Sequence, residues 1–349
     1  MAITYRPLRS TDIPHCVGLV QVHSVLGPQY GSEARLLEGV WKNLVGCEAF
    51  RAVVFEETHD RYVQIIGFGI SVFVSDNFIA ELKTPPLRWI GPTITRRICS
   101  GDSPLLSDEK LRTGNSAGGL NLVVWLGAFD NRYSDSLDAY GALFAAFVAE
   151  HRGFLLNEVI GSSLSSKILE GMLRSGGLLF DSARGLYVDT PDKPLAGICT
   201  QPHLVGLNRE LATGRFGTWI GSLFIHERPR FGFRPSDQRL LLAALRGGTD
   251  SDLARELGIS LSAVKKTWHS IYTRVALRAQ ELIPDLTPEE PSSERGREKK
   301  QRLIAYVREH PEELRPASPL RKMRGRGHLS EKQNWGNSRR SARTTRETR

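Results

Sequence analysis

Hydrophobic residues along the chain follow two rhythms: alternation with short apolar runs, and recurrence every three or four positions. Residues 3–9 (ITYRPLR) read as a short strand. Ser10-Thr11-Asp12 then offers an N-cap for a helix reaching about residue 25, with Pro14 tolerated in its first turn. A second helix is expected over 32–44, where Leu36, Leu37, Val40, Trp41 and Leu44 share one face. Two strands follow at 50–55 and 62–74, rich in β-branched and aromatic residues. Residues 84–120, punctuated by Pro, Gly and Ser, predict loops with one short helix. The run LNLVVWL at 120–126 suits a strand buried on both faces. Over 137–152 an amphipathic helix carries Tyr140, Leu143, Phe144, Phe147 and His151 along one side and stops at Gly153. Strand 154–160, helix 163–174 and closing strands at 177–180 and 186–189 complete a β-α-β-α-β order. The fold class over residues 1–190 is therefore α/β or α+β. Residues 191–232, rich in Pro, Gly and Thr, read as a connector with a short helix near 208–212.

Residues 233–285 predict an all-α domain. A helix over 236–246 is stopped by Gly247-Gly248, and a second is capped by Thr249, with Asp252 placed to complete a capping box. Gly258 supplies a left-handed turn, and Ser260 caps a third helix to about residue 275. On that helix Val264, Trp268, Ile271 and Val275 form a buried stripe, while the opposite face offers Lys265, Lys266, His269 and Arg274. A helix dry on one side and basic on the other suits a DNA major groove. Lys265 and Lys266 are the leading phosphate or base-edge contacts. His269 is a weaker candidate, and Arg274 a phosphate contact.

Charge changes the picture only at the C-terminus. Residues 291–349 hold 17 Lys+Arg against 7 Asp+Glu, whereas the preceding 290 residues hold 30 against 31. The net charge of +9 is thus a property of the tail. Residues 286–300 read as a linker, 301–309 as a short helix packing back on the domain before it, and the Arg-, Ser- and Gly-rich remainder as disordered. Such a tail can gather at phosphates without sequence preference. Four scattered cysteines with no CxxC pair argue against zinc or disulfides and fit a cytoplasmic protein. No long apolar run predicts a membrane span or a secretory leader. No metal cluster or cofactor fingerprint is expected.

The stretch 233–282 resembles the LuxR-type helix-turn-helix family. Asp237, Gly247, Thr249, Leu253-Ala254, Leu257-Gly258-Ile259-Ser260 and Val264-Lys265 follow its pattern in order. Arg234, Ala263 and Trp268 depart from it, which touches capping and packing more than the outer face. The resemblance implies double-stranded DNA as partner and a homodimer on it.

The opening YRPLRSTDIPHCVGLV, the segment IIGFGISVFV and the order of elements over 120–180 are similar to the GNAT acyl-CoA N-acyltransferase superfamily. Active members place a glycine-rich phosphate loop before the long helix. Here the loop reads DNRYSDSLDAYG, with Asp130, Asp135 and Asp138 opposing a pyrophosphate and Arg132 alone favouring one. The expectation is a sequence-specific transcriptional regulator with a sensory, acyltransferase-shaped body and an unidentified small-molecule effector. Two alternatives stand beside it: an acyl-CoA-dependent N-acyltransferase tethered to DNA, and a nucleic-acid interaction protein acting through the Arg-rich tail.

Overall fold

A computed structural model describes residues 3–59, 62–133, 136–189, 198–283 and 292–317. The α/β body is built from β1 (Ile3–Pro7), α1 (Ile13–Val22), α2 (Leu26–Tyr30), α3 (Leu37–Leu44), β2 (Phe50–His59) and β3 (Tyr62–Val74), followed by α4 (Asp76–Lys83), α5 (Ile90–Cys99) and α6 (Asp108–Ser116). Next come β4 (Leu120–Phe129), α7 (Leu137–His151), β5 (Leu156–Ser165), α8 (Ser166–Arg174), β6 (Leu178–Asp181), β7 (Leu186–Val188), β8 (Ile198–Asn208) and α9 (Arg209–Ala212). The strands form one sheet in the order β1-β2-β3-β4-β5-β8-β6-β7. Every neighbouring pair is antiparallel except β4 and β5. That parallel pair is joined by α7, as a crossover between parallel strands requires.

Alternation along β2 decides which helices cover which face. Phe50 and Val54 point into a core with α1, α3 and α5, where Ile13, Val20, Leu37, Trp41 and Ile94 are buried. Val53 and Phe55 face the other way, toward Ala142, Leu143 and Ala146 of α7. Trp41 is fully buried against Phe68 and Trp125, and burying a side chain of that size contributes about 2–3 kcal/mol.

Two readings of the sequence need correction. Residues 198–208 are not connector: they form β8, which inserts between β5 and β6 with Leu204, Val205 and Leu207 buried. Pro202 and Gly206 disguise this strand, because both residue types argue against a central strand. The register of β5 against β8 is irregular between Ser163 and Ser165, next to that proline. Residues 84–120 hold two helices, α5 and α6, rather than one. Ser107 caps α6 by accepting from Lys110 N at 3.3 Å, a signal buried among turn-forming neighbours.

The helical part comprises α10 (Pro235–Leu245), α11 (Asp250–Leu257), α12 (Leu261–Ala276) and α13 (Ser292–Glu309). Its core joins Leu240, Leu241, Leu253, Trp268 and Ile271 to Leu303, Ile304 and Val307 of α13. That last helix is longer than the expected 301–309, starting at Ser292 through a stretch of Glu, Arg and Lys, which are good helix formers. The expected linker at 286–291 and nearly all of the expected disordered tail, from 318 onward, lie outside the described residues.

A short segment after α13 ties the helical part to α6 and α7 of the α/β body. Arg315 donates to Arg152 O at 2.9 Å and to Ala149 O at 2.7 Å, taking up carbonyls at the end of α7. Asn115 Nδ2 reaches Pro316 O at 2.8 Å, and Gln238 of α10 donates to Glu313 O and Arg315 O. The Glu313 carboxylate accepts from Arg230 N at 2.5 Å and Phe231 N at 3.1 Å. Gly153 has φ +88°, and a Cβ there would lie 2.5 Å from Glu312 N and 2.7 Å from Pro311 C. Gly153→Ala therefore forces apart two backbones and strains a left-handed residue. We expect a loss of about 2–4 kcal/mol in chemical denaturation; an unchanged midpoint would show that this junction does not hold the parts together.

Candidate functional site

Two places on the chain have the chemistry of a site. The first is the outer face of α12. Thr249 Oγ1 accepts from Asp252 N at 3.2 Å while Asp252 Oδ2 accepts from Thr249 N at 3.0 Å, so α11 starts with a reciprocal cap. It ends at Gly258, φ +64°, with Ile259 N bonded to Ala254 O at 3.0 Å. Only a residue without a Cβ takes that conformation freely, and it turns the chain into α12. Ser260 Oγ caps α12 by accepting from Ala263 N at 3.1 Å. Val264, Trp268, Ile271 and Val275 are buried. Lys265, Lys266 and His269 stand exposed on the opposite side, with no carboxylate at ion-pair distance among the described residues. Arg274 is placed differently from its neighbours. Its Nη1 donates to Gly232 O at 3.3 Å and its Nε lies 3.9 Å from the Asp237 carboxylate, so it braces α12 against α10.

The second place is a cavity of about 540 Å³ in the α/β body. Its origin is a parting of strands. The β4–β5 ladder ends at Val124↔Gly161, although β4 continues to Phe129 and β5 to Ser165. A bulge leaves Trp125 unpaired between Val124 and Leu126 where β4 meets β3. The space is roofed by α7, whose Tyr140, Leu143, Phe144, Phe147 and His151 all line it, with Ile168 and Met172 of α8 opposite. The stripe expected to be a packed helix face thus looks partly into open volume.

Polar groups gather at one end of the cavity. Ser71 Oγ lies 2.6 Å from His151 Nε2, and His151 Nδ1 lies 2.7 Å from Phe147 O. The carbonyl can only accept, so Nδ1 donates to it, and in the neutral ring that burial favours Nε2 accepts from the serine. Burial pushes the His151 pKa down to about 3, and Arg51 and Arg315 act in the same direction. A histidine held so far below neutrality does not take up a serine proton at pH 7, so this pair is a brace between β3 and α7 rather than a nucleophile and its base. The sequence showed no Ser/His pair because the partners lie 80 residues apart. Arg51 was also missed, although its parity with Val53 and Phe55 put a cation on the inward face of β2.

At the start of α7, Asp130 binds Arg132 through Nε at 3.1 Å and Nη2 at 3.2 Å, and Ser136 Oγ accepts from Ala139 N at 3.2 Å. The single cation of that loop is engaged and one orphan amide is already capped, which leaves little for a phosphate there. Elsewhere, Glu227, His310 and Glu312 bring ligand atoms within 4.8 Å of one another, a grouping able to hold a divalent cation. His310 Nδ1 is already 2.9 Å from Glu312 Oε1, so the same geometry is explained by an ordinary hydrogen bond. No helix among the described residues is long and apolar enough to cross a membrane.

No family model and no curated protein matches the chain. Solved structures similar to it include an uncharacterised protein from Bacillus halodurans, at 10% identity and TM-score 0.34, covering 64% of this chain and 92% of that one. A GNAT-family acetyltransferase from Staphylococcus aureus Mu50 is similar at 8% identity and TM-score 0.32, covering 59% and 99%. The spermidine/spermine N-acetyltransferase from Vibrio cholerae, in complex with manganese ions, is similar at 10% identity and TM-score 0.31, covering 61% and 96%. Likenesses this distant leave function to the chain's own geometry.

The His151 brace makes a pH prediction. Its pKa is depressed on folding, so the unfolded chain binds the extra proton as pH falls below about 6.5. This contribution to stability is full above that value and declines toward about pH 3. The wild-type melting temperature should fall faster between pH 6.5 and 4.5 than that of Ser71→Ala/His151→Leu. Parallel pH curves for the two proteins would count against a buried neutral imidazole.

Proposed function

We propose that the chain is a sequence-specific DNA-binding regulator whose α/β body holds a small effector. The observation that carries this reading is α12: a helix entered through a left-handed glycine turn, dry on one side, with Lys265, Lys266 and His269 free on the other. A helix so presented can enter a major groove, where phosphate contacts fix its position and base-edge contacts select sequence. Lys265 and Lys266 are the expected contacts, with His269 beside them. Arg274 acts from behind, holding α12 at its angle to α10. A homodimer reading paired half-sites follows from the LuxR-type resemblance.

The effector reading rests on the cavity. Its volume and mostly apolar lining suit a drug-sized molecule, and α7 connects its wall to the segment that Gln238 of α10 grips. A second reading, acyl-CoA-dependent transfer to an amine, is favoured by the same parting of the parallel strands and by the GNAT-like order of elements. The start of α7 argues against it, because Asp130 already neutralises Arg132. The third reading, binding through the Arg-rich tail, concerns residues outside those described.

Selection of genomic fragments by the full chain, by Lys265→Ala/Lys266→Ala and by a chain truncated after residue 317 separates the three. We expect discrete fragments with the wild type, a roughly 10–100-fold loss of affinity in the double variant, and retained sequence preference after truncation. Enrichment indifferent to both lysines but lost with the tail would overturn the α12 reading. Acetyl-CoA-dependent release of free thiol with an amine acceptor, without fragment selection, would install the transfer reading.

A further inference from the structure

The polar end of the cavity is electrically incomplete. Arg51 lines it from β2, and its Nε is buried without a hydrogen-bond partner. Among the described residues no carboxylate comes within ion-pair distance of its guanidinium, which lies 5.3 Å from the centroid of the Phe154 ring. The same ring carries a second cation, Arg315, at 5.0 Å. Arg315 is satisfied by the carbonyls of Ala149 and Arg152, whereas Arg51 has nothing comparable.

The surrounding charges do not close this account. Glu48, which attracts Arg51 electrostatically, gives its Oε1 to Arg112 at 2.6 Å and stays beyond ion-pair distance of Arg51. Glu150 lines the cavity and attracts both arginines without pairing with Arg51, and Glu312 adds its attraction to Arg315 alone. His151 is neutral. Burial lowers the pKa of Arg51, and burial together with the neighbouring Arg51 lowers that of Arg315 to about 10, so both remain cationic at neutral pH. Arg51 is half-buried, and a cation partly withdrawn from water without a partner is costly; a ligand that supplies the counter-charge recovers that cost on binding.

Leu126, Leu143, Phe144, Phe147 and Met172 give the cavity a broad apolar wall, and its other lining arginine, Arg174, is paired with Glu170. We propose that the cavity binds an amphipathic organic carboxylate, its apolar body between α7 and the parted strands and its carboxylate on Arg51. A guanidinium offers a planar fork that matches a carboxylate through two parallel hydrogen bonds. This assignment rests on the reading of the cavity as a ligand site, and it is independent of what α12 binds.

The test is calorimetric titration of the full chain with decanoate and with 1-decanol, which share a body and differ in charge. The wild type should bind decanoate about 10–100-fold more tightly than decanol, the worth of a charge-assisted hydrogen bond. Arg51→Met should abolish that preference while leaving decanol affinity within about twofold. If Arg51→Met binds neither ligand, Arg51→Lys takes its place. That variant keeps the charge without the fork, and should hold decanol as the wild type does and decanoate at an intermediate level. Equal affinity for acid and alcohol in the wild type, binding of neither, or an Arg51 variant with undiminished decanoate affinity would each overturn the proposal. None of these results bears on selection of DNA by Lys265 and Lys266, so the two readings fail separately.

Discussion

The parting of β4 from β5 is the constraint on which the α/β body depends. Strands joined by a crossover helix must run parallel, and their ladder holds only as far as Val124↔Gly161. Beyond that point their edges face a space that side chains must fill or line. On the opposite face Trp125 is seated firmly, donating through Nε1 to Tyr30 at 3.1 Å and packing against Trp41 and Phe50. The cavity opens under α7 and also reaches Leu26, Tyr30 and Trp89 beside Trp125. The bulge at Trp125 shapes it, because an extra residue there re-aims the side chains that follow.

The cavity and the helical part are linked through α7. Its stripe lines the cavity, and its last carbonyls receive Arg315. Arg315 belongs to a segment whose backbone is also gripped by Gln238 of α10 and whose Glu313 caps the amides of Arg230 and Phe231. Burial holds the Glu313 carboxyl up at about 7, against the pull of those two amides. A carboxyl raised on folding stabilises most below its unfolded pKa of about 4.5 and loses that contribution as pH climbs toward 7. This works against His151, whose contribution grows over the same interval. Across neutral pH the junction is therefore set by hydrogen bonds and packing rather than by either titration alone.

Much of the architecture was legible where local signals agreed. β3 spans the expected 62–74, the caps at Thr249 and Ser260 fall where spacing placed them, and the stripe of α12 is the one read from its four apolar residues. Legibility failed where neighbours distant in sequence overrode local signals. β8 carries Pro202 and Gly206, and pairing with β5 and β6 makes it a strand despite them. Arg274 looked like a surface cation because Asp237 and the Gly232 carbonyl, which hold it, lie about forty residues away in sequence. The brace between Ser71 and His151 was invisible for the same reason.

Arg51 is the most instructive of these cases. Its position in FRAVVF puts a guanidinium on the face that buries Val53 and Phe55, a conflict written in the alternation of the strand itself. Such conflicts are resolved in folded proteins by a partner, by neutralisation or by use. No carboxylate pairs with it among the described residues. Arginine keeps its proton even when burial opposes it, which removes neutralisation. The ring of Phe154 at 5.3 Å offers some stabilisation, but a cation–π contact is worth about 1–2 kcal/mol, less than the several kcal/mol needed to desolvate a charge. Arg51 is instead half-exposed to the cavity, where the counter-charge of a ligand can meet it. The same logic explains why α12 needs no such resolution: Lys265 and Lys266 are solvated, and their charge is stored where a polyanion can reach it.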